Sequence, residues 1–205
     1  MIVAVEGPSA AGKTSWCQRH FGDDYVREYS PTGTEPDAND LDTQADYWTS
    51  VNSARWLEAA RIEAEIGVAV CDSDPLKIHY SWCLARVGAA PVQRWTRELR
   101  AVRRAFSAGR LGLADLVLIT IPDLATLQAH RDEDGSRRRH SFELHARLRE
   151  PLREWYQAVD RLDPGRVCWE LPKTGLPAGP PPRIDRSDPA QLDTLVRLLP
   201  PLNEN

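Results

Sequence analysis

The sequence lacks the features that would assign it to several large classes of protein. Its four cysteines form no Cys-x-x-Cys pair and no metal-binding spacing with the five histidines, which argues against a zinc module. Scattered single cysteines are typical of the reducing cytosol, so we expect a cytoplasmic protein. No apolar run approaches the length of a membrane span, and the first residues have a strand pattern, so we expect no signal peptide and no membrane partner. The net charge of −4 provides no general basic field, so we expect no nucleic-acid partner.

The chain also lacks an internal repeat and an interdomain linker. Its 205 residues, 41% hydrophobic and 27% charged, are ordinary for a globular protein and sufficient for one domain with a proper core. We therefore predict a single domain over residues 1–205.

One motif stands out at the start of the chain. Residues 7–14 are Gly-Pro-Ser-Ala-Ala-Gly-Lys-Thr and match the phosphate-binding loop, G-x-x-x-x-G-K-[ST]. The loop follows a β-branched apolar stretch and precedes a helical stretch, which is the context that the motif needs. Lys13 adds a positive charge for the β- and γ-phosphates, and the Thr14 hydroxyl is placed to bind Mg²⁺. The motif predicts binding of ATP and Mg²⁺, with the nucleotide held by Gly7, Ser9, Ala10, Ala11, Gly12, Lys13, Thr14 and Ser15.

Strand and helix signals alternate along the rest of the chain. Strand signals occupy residues 1–5, 25–29, 67–71 and 116–121, with shorter candidates at 166–171 and 182–185. Helical patterns follow the loop and occupy residues 40–66, 79–86, 91–108, 124–130, 142–162 and 188–199. Alternation of this kind predicts a three-layer α/β/α arrangement with an open parallel sheet, the P-loop NTPase fold.

Asp72 directly follows the continuous apolar run at residues 67–71. Open α/β sheets bind ligands outside the carboxyl ends of their central strands. Asp72 is therefore predicted either to act with Thr14 in holding Mg²⁺ or to accept a proton. Asp74, followed by Pro75, fits a cap of the next helix.

Three polar or aromatic side chains follow one stripe of the long predicted helix. Trp48, Asn52 and Arg55 have helical spacing. They form either a surface for a small ligand or an ordinary boundary between core and solvent, and the sequence leaves both interpretations open.

Residues 131–139 combine glycine, serine, three acidic residues and several arginines. They form either a solvated loop or a lid, over about residues 131–141, that brings cations to a phosphate. The phosphate loop upstream favours the lid, because phosphoryl transfer depends on such cations. Arg131, Arg137 and Arg138 are the predicted catalytic arginines.

Two short stretches resemble thymidylate kinases and the related deoxynucleoside kinases. They are Val5-Glu6-Gly7 at the phosphate loop, and Arg27-Glu28 followed by Pro31-Thr32-Gly33-Thr34. The resemblance implies that Arg27 and Glu28 bind the acceptor and that Glu28 occupies the place of a catalytic glutamate.

Two further stretches extend the resemblance. Ser53-Ala54-Arg55 resembles the helix whose arginine holds the acceptor phosphate in thymidylate kinases. Cys71-Asp72 followed by Tyr80 resembles the segments that come after the third strand of these kinases. The resemblance therefore implies acceptor binding by Arg55 and Tyr80. Ser73 stands where these families place a substrate-contacting arginine, a departure that leaves the acceptor open.

The expected function is an ATP-dependent kinase that phosphorylates a nucleoside, a nucleotide or a similar small acceptor. A hydroxyl acceptor benefits from a carboxylate base, whereas a phosphate acceptor needs cations, and the chain offers both Glu28 and Arg27. Two alternatives stay open: a regulatory P-loop ATPase without a small acceptor, and an antibiotic-type alcohol phosphotransferase. The second shares a Ser-Ala-Gly-Lys style of loop. A homodimer is also left open.

Overall fold

The computed structural model describes residues 1–37, 39–133 and 142–202. Its centre is a sheet of four parallel strands in the order β2-β1-β3-β4: β1 (Ile2–Glu6), β2 (Ala69–Asp72), β3 (Leu116–Ile119) and β4 (Val167–Cys168). The register pairs Val5 with Asp72, and Glu6 with Ile119. The carboxyl ends of β1, β2 and β3 therefore meet at one edge of the sheet.

Eight helices are assigned in the described ranges. They are α1 (Lys13–Phe21), α2 (Leu41–Ile66), α3 (Ile78–Arg86), α4 (Val92–Ser107), α5 (Leu124–Glu133), α6 (Phe142–Arg147), α7 (Arg149–Leu162) and α8 (Pro189–Leu198). The longest, α2, begins at Asp40, whose carboxylate accepts a hydrogen bond from the Thr43 N–H at 3.1 Å, and ends at Gly67 with φ 83°. Both ends are set by residues that satisfy the backbone there.

The two faces of the sheet bury different helices, which makes three layers. Ile2 and Ala4 belong to a large apolar cluster with residues of α2, α3, α4, α7 and α8. Val3 and Val5 pack instead against Trp16 of α1. Alternate residues of one strand thus enter opposite layers, as the pleat of a strand requires. The predicted α/β/α fold with a parallel sheet is confirmed.

Three predicted elements are absent or divided in the structure. Residues 25–29 form no strand, because only Val26 pairs with β2, through one bridge to Cys71. Residues 182–185 form no strand either, since the Arg183 N–H binds the Asp115 carboxylate at 2.6 Å instead of a neighbouring strand. The predicted helix 142–162 divides at Leu148 into α6 and α7. The division lies next to Pro151, which has no N–H to continue a helix from the preceding turn.

Helix α5 extends three residues further than predicted, so Arg131 lies on a helix rather than in a loop. Arg137 and Arg138, like most of the predicted lid, lie outside the described residues. Among the helices described, none is long and apolar enough to cross a membrane.

Candidate functional site

The phosphate loop runs from the end of β1 into the start of α1. A Cβ at Gly7 would lie 2.5 Å from the carbonyl oxygen of Thr120, so no larger residue fits between the loop and the end of β3. Gly12 takes the left-handed conformation, φ 84°, immediately before α1. Ala10 is also left-handed, with φ 69°, a strained conformation that surrounding structure must enforce. The loop has the tight turns that direct N–H groups toward an anion.

Lys13 is buried beside this loop. Its ammonium group donates hydrogen bonds to the carbonyl oxygens of Gly7, at 2.9 Å, and Pro8, at 3.3 Å. Ser15, one of the predicted nucleotide contacts, is exposed in the first turn of α1. The loop, Lys13 and the α1 N-terminus together offer N–H donors and one positive charge to a bound phosphate.

Thr14 and Asp72 lie together, as expected of two magnesium-binding groups. The Thr14 hydroxyl donates a hydrogen bond of 2.6 Å to Oδ2 of Asp72, a side chain that is only 2% exposed. Oδ1 of Asp72 is buried and has no hydrogen-bond partner in the described residues. Burial raises the pKa of the Asp72 carboxyl despite the Thr14 hydrogen bond.

These two oxygens fit Mg²⁺. No group of three or more His, Cys, Asp or Glu side chains suited to a metal was found among the residues described. Mg²⁺ in phosphate sites needs only one or two protein oxygens, because phosphates and water complete its shell. The hydroxyl of Thr14 and the unpartnered oxygen of Asp72 satisfy that requirement.

A cavity of about 350 Å³ opens beside the phosphate loop. Five of the predicted acceptor residues line it: Glu28, Trp48, Asn52, Arg55 and Tyr80. Gly7, Pro8 and Lys13 of the phosphate loop line the same cavity. Its volume lies in the range usual for small-molecule sites. The stripe on α2 therefore faces a cavity rather than an ordinary boundary with solvent.

Arg27 is not brought to this cavity. Its guanidinium lies 5.6 Å from the centre of the Tyr25 ring and binds Asp23 at 2.5 Å. Only its backbone carbonyl points toward the site, where it accepts a hydrogen bond from Arg55 at 3.0 Å.

The aromatic wall of the cavity is held by hydrogen bonds outside it. The Trp48 indole N–H donates to Gln44 at 2.7 Å, and the Gln44 amide donates to the Pro36 carbonyl at 2.6 Å. The Tyr29 ring meets Trp48 edge to face at 5.3 Å, and its hydroxyl donates to Glu35 at 2.5 Å. Trp48 and Tyr29 thus form a fixed, apolar surface against which a flat ring could lie.

Arg55 binds the backbone where three segments meet. Its guanidinium donates to the carbonyl oxygens of Asp72 and Ser73, both at 2.7 Å, as well as to Arg27. Ser73 has φ 71°, so this turn is strained. The arginine therefore holds the end of β2 against the segment that carries Glu28.

Sequence reasoning missed a charged cluster beside Glu28. Lys77 lies 3.2 Å from a Glu28 oxygen and 3.3 Å from a Glu6 oxygen. His79 approaches the same Glu6 carboxylate at 3.6 Å. Lys77 lies in the turn after β2, where the sequence pattern indicates only the start of the next helix. No local pattern indicates that Glu6 is both buried and charged.

The charges in this cluster offset the cost of burial. Burial raises the pKa of Glu6, but Lys77, His79 and Lys13 outweigh it and leave that pKa far below its usual value. The pKa of Glu28 is lowered in the same way, with Lys77 and Lys13 outweighing burial. Burial lowers the pKa of Lys77, and the two glutamates more than reverse this. All three groups are therefore charged near neutral pH.

A second pair that the sequence did not predict closes another part of the cavity. Arg94 and Glu98 are one turn apart on α4 and form an ion pair of 2.9 Å. Both line the cavity. Arg104 of α4 forms an exposed ion pair instead, with Asp46 at 2.9 Å.

Comparison with known proteins identifies the fold. No protein-family model matches the sequence, and no curated protein matches it significantly. Solved structures of deoxyadenosine kinase from M. mycoides do match. The one with the products dCMP and a flexible dCDP bound has a TM-score of 0.56 and 13% sequence identity, over 82% of this chain and 89% of that chain.

Two further structures of that kinase agree. The one with bound dATP has a TM-score of 0.53 and 16% identity, over 82% of this chain and 90% of that chain. The one with bound dCTP has a TM-score of 0.50 and 12% identity, over 96% and 97%. This chain has the fold of the deoxynucleoside kinases. The resemblance noted in the sequence is thereby confirmed at the level of the fold.

In this kinase fold, α5 and α6 lie against the phosphate loop. Phe142 packs in an apolar cluster with Ala10 and Ala11, and a ring nitrogen of His130 lies 3.0 Å from the Ala10 carbonyl oxygen. The Arg131 guanidinium lies 4.6 Å from the centre of the Phe142 ring and binds Asp132 at 2.8 Å. The residues on either side of the predicted lid, His130 and Phe142, thus contact the loop that would bind phosphate.

Proposed function

We propose that the chain is an ATP-dependent kinase that phosphorylates a hydroxyl group of a nucleoside or a similar small acceptor. The observation that carries the proposal is the shared cavity. The phosphate loop with Lys13, the carboxylate of Glu28 and the aromatic surface of Trp48 all line it. A phosphate donor on the loop and an acceptor in the cavity would lie side by side, which is the main requirement of phosphoryl transfer.

The charges in the cavity favour a hydroxyl acceptor over a phosphorylated one. The Glu28 side chain is 40% exposed, and Lys77 pairs with one of its oxygens; the other oxygen is the one that would receive the proton of a hydroxyl. Arg55 donates to three backbone carbonyls. An acceptor phosphate would have to compete with those bonds, whereas a hydroxyl needs only a base.

The residues of the site divide into three roles. Lys13 and the loop N–H groups bind phosphate oxygens. Thr14 and Asp72 hold Mg²⁺, which when bound neutralises charge on the phosphates. Glu28 accepts the proton that the acceptor hydroxyl loses as its oxygen bonds to the γ-phosphorus of ATP, while the bond from that phosphorus to the bridging oxygen breaks and ADP leaves.

The remaining predicted residues have subsidiary roles in this proposal. Trp48 provides a flat apolar surface for the acceptor, and Asn52 and Tyr80 offer polar groups at its edge. Arg131 stays our candidate for a cation supplied from α5, and Arg137 and Arg138 stay candidates for the same role.

A nucleoside is the preferred acceptor for two reasons. The fold is that of deoxynucleoside kinases, an argument by analogy. The wall formed by Tyr29 and Trp48 suits a flat base independently of that analogy. A regulatory ATPase would have no use for an aromatic wall in the cavity beside the phosphate loop.

The test is a transfer assay with ATP labelled in the γ-phosphate. The panel contains nucleosides, nucleoside monophosphates and small alcohols, and the measurement is label found in each acceptor. We expect label in one or more nucleosides and little in monophosphates, with none in any acceptor for the Lys13→Ala variant. Label that appears only as inorganic phosphate across the panel would contradict the proposal and favour the regulatory ATPase. Label in small alcohols alone would favour the alcohol phosphotransferase.

A further inference from the structure

The ammonium group of Lys77 lies among three hydrogen-bond acceptors. It immediately precedes α3, and its ammonium group donates to a Glu28 oxygen at 3.2 Å, to a Glu6 oxygen at 3.3 Å and to the Ser73 hydroxyl. An ammonium group has three N–H donors, so this arrangement uses all of them. Lys77 also lines the cavity.

Glu6 is the fixed end of this arrangement. It is 1% exposed and stands at the end of β1, directly before the phosphate loop. One oxygen accepts from the Gly7 N–H at 2.8 Å, and the other accepts from the Ser73 hydroxyl at 3.0 Å and the Asp74 N–H at 3.1 Å. A buried carboxylate held by three donors has little freedom to move.

Glu28 is the adjustable end. It lies beyond the single bridge at Val26, outside any strand. Lys77 is the one hydrogen-bond partner that its carboxylate has within the part of the chain described here. Without Lys77, the orientation of this half-exposed side chain would depend on its own rotamers alone.

We propose that Lys77 is the positioning residue for Glu28. Its ammonium group links the Glu28 carboxylate to the buried Glu6 carboxylate at the start of the phosphate loop, and we call this link the tie. The tie sets the distance between Glu28 and the loop, and it leaves the second Glu28 oxygen available to an acceptor hydroxyl. This inference rests on the proposed function, in which Glu28 is the base. It assigns to Lys77 an effect on turnover rather than on nucleotide binding.

Two further observations support a specific role for this lysine. The chain has 26 Lys and Arg residues, of which only Lys13, Lys77 and Lys173 are lysines, and two of those three line the cavity. The compact ammonium group of a lysine also suits three hydrogen-bond acceptors that surround one point. The planar guanidinium group of an arginine favours two hydrogen-bond acceptors in its own plane.

The experiment compares Lys77→Met with Lys77→Arg, and uses Lys173→Met, on the surface, as the matched control. With the nucleoside identified by the transfer assay, we expect Lys77→Met to lower kcat on the order of 10²-fold, the effect of misplacing a catalytic group. KM for the nucleoside and the calorimetric Kd for ATP should stay within about twofold. Lys77→Arg should recover part of the loss, and Lys173→Met should behave as the parent protein.

The pH dependence gives a second readout. Removal of the ammonium leaves the burial of Glu28 less compensated, so the acid limb of kcat should move to higher pH in Lys77→Met. A ¹³C NMR titration of the Glu28 carboxyl should show the same upward shift in pKa without any acceptor present. If the NMR titration showed the same Glu28 pKa in Lys77→Met as in the parent protein, the tie itself would be overturned.

Removing Lys77 alone leaves the negative charge of the buried Glu6 uncompensated. The single variant could therefore fail to fold. The double variant Glu6→Gln/Lys77→Met removes both charges and should fold while still lacking the tie. It should show the same loss of kcat as Lys77→Met.

A double-mutant cycle separates this inference from the proposed function. If Lys77 acts through Glu28, then Lys77→Met should have little further effect in a Glu28→Gln background. A full additional loss in that background, or wild-type kcat in Lys77→Met beside an inactive Glu28→Gln, would overturn the role of Lys77 and leave the kinase proposal intact. Failure of the wild-type protein to phosphorylate any acceptor would instead overturn the kinase proposal, and the NMR titration would still decide the tie.

Discussion

The Thr14 hydroxyl hydrogen-bonds Asp72 at 2.6 Å, joining the start of α1 to the end of β2 across 58 positions of sequence. The contact brings the two proposed magnesium-binding residues together. The second Asp72 oxygen has no hydrogen-bond partner among the residues described, which is consistent with the proposed magnesium site. Buried unpartnered oxygens cost free energy, and such a cost is usual at functional sites.

Asp72→Asn should therefore lower turnover far more than it weakens ATP binding. The substitution keeps the shape and the Thr14 contact but removes the negative charge that acts on the metal during transfer. We expect kcat to fall on the order of 10²–10³-fold while the Kd for ATP changes by less than about fivefold. Steady-state kinetics and calorimetry at saturating Mg²⁺ measure the two quantities. Asp193→Asn, at a partly exposed position of α8, is the matched control; a near-normal kcat for Asp72→Asn would assign Asp72 a structural role.

Lys13→Ala should abolish transfer without unfolding the protein. Among the described residues the Lys13 ammonium hydrogen-bonds only loop carbonyls, so its removal breaks no hydrogen bond to a core side chain. Loss of the cation should cost on the order of 10³ in kcat/KM. Circular dichroism checks the fold, and Lys173→Ala provides a comparison at the surface. Wild-type turnover by folded Lys13→Ala would show that ATP binds elsewhere.

The phosphate loop could be predicted from sequence because its backbone imposes residue types at fixed positions. Gly7 must lack a side chain next to the Thr120 carbonyl, and Gly12 must adopt a positive φ. These demands fall on fixed positions of one loop, so they appear as a pattern in eight consecutive residues. The apolar runs of β1, β2 and β3 could be predicted for a similar reason, since strands covered on both faces require them.

The cluster around Lys77 could not be predicted, because it depends on contacts between distant segments. Lys77 and Glu6 are 71 positions apart, and Lys77 and Glu28 are 49 apart. The orientation of Arg27, away from the cavity, follows instead from a local rule. Its neighbour Glu28 faces the site, and consecutive residues of an extended segment point to opposite sides.

Glu28→Gln should lower mainly the turnover rate, whereas Arg55→Ala should lower mainly the stability of the fold. For a hydroxyl acceptor, Glu28→Gln removes the base, and we expect kcat to fall on the order of 10²–10⁴-fold with little change in stability. Arg55→Ala removes three hydrogen bonds to backbone carbonyls and should lower the free energy of unfolding by about 2–4 kcal/mol. Kinetics and urea unfolding measure the two effects.

Arg61→Ala is the matched control for Arg55→Ala. Arg61 lies on the same helix and forms only exposed ion pairs with Glu58 and Glu65, which contribute little to stability. If Arg55→Ala raised KM for the acceptor strongly while Glu28→Gln had no effect on kcat, the acceptor would be phosphorylated, and our assignment of a hydroxyl would be wrong.

The last prediction concerns stability in acid. His79 is fully enclosed between Glu6, at 3.6 Å, and the rings of Trp155 and Tyr156. Burial lowers its pKa to about 4, against an attraction from Glu6 and with a further contribution from Lys77. Below pH 6.5 the unfolded chain therefore takes up a proton on this histidine while the folded protein does not. Its contribution to stability falls as the pH drops from about 6.5 toward 4.

Asp74 acts in the opposite direction over part of this range. Burial raises its pKa to about 6, so the folded protein binds that proton first and gains stability as the pH falls from 6 toward 4. The wild-type curve alone would therefore mix two effects, and a comparison with His79→Gln is needed to isolate one. Between pH 7.5 and pH 5, the free energy of unfolding of His79→Gln should improve relative to that of the wild type by about 2 kcal/mol. Urea unfolding at the two pH values measures this difference; an identical difference at both values would mean that His79 is protonated as readily in the folded protein as in the unfolded chain.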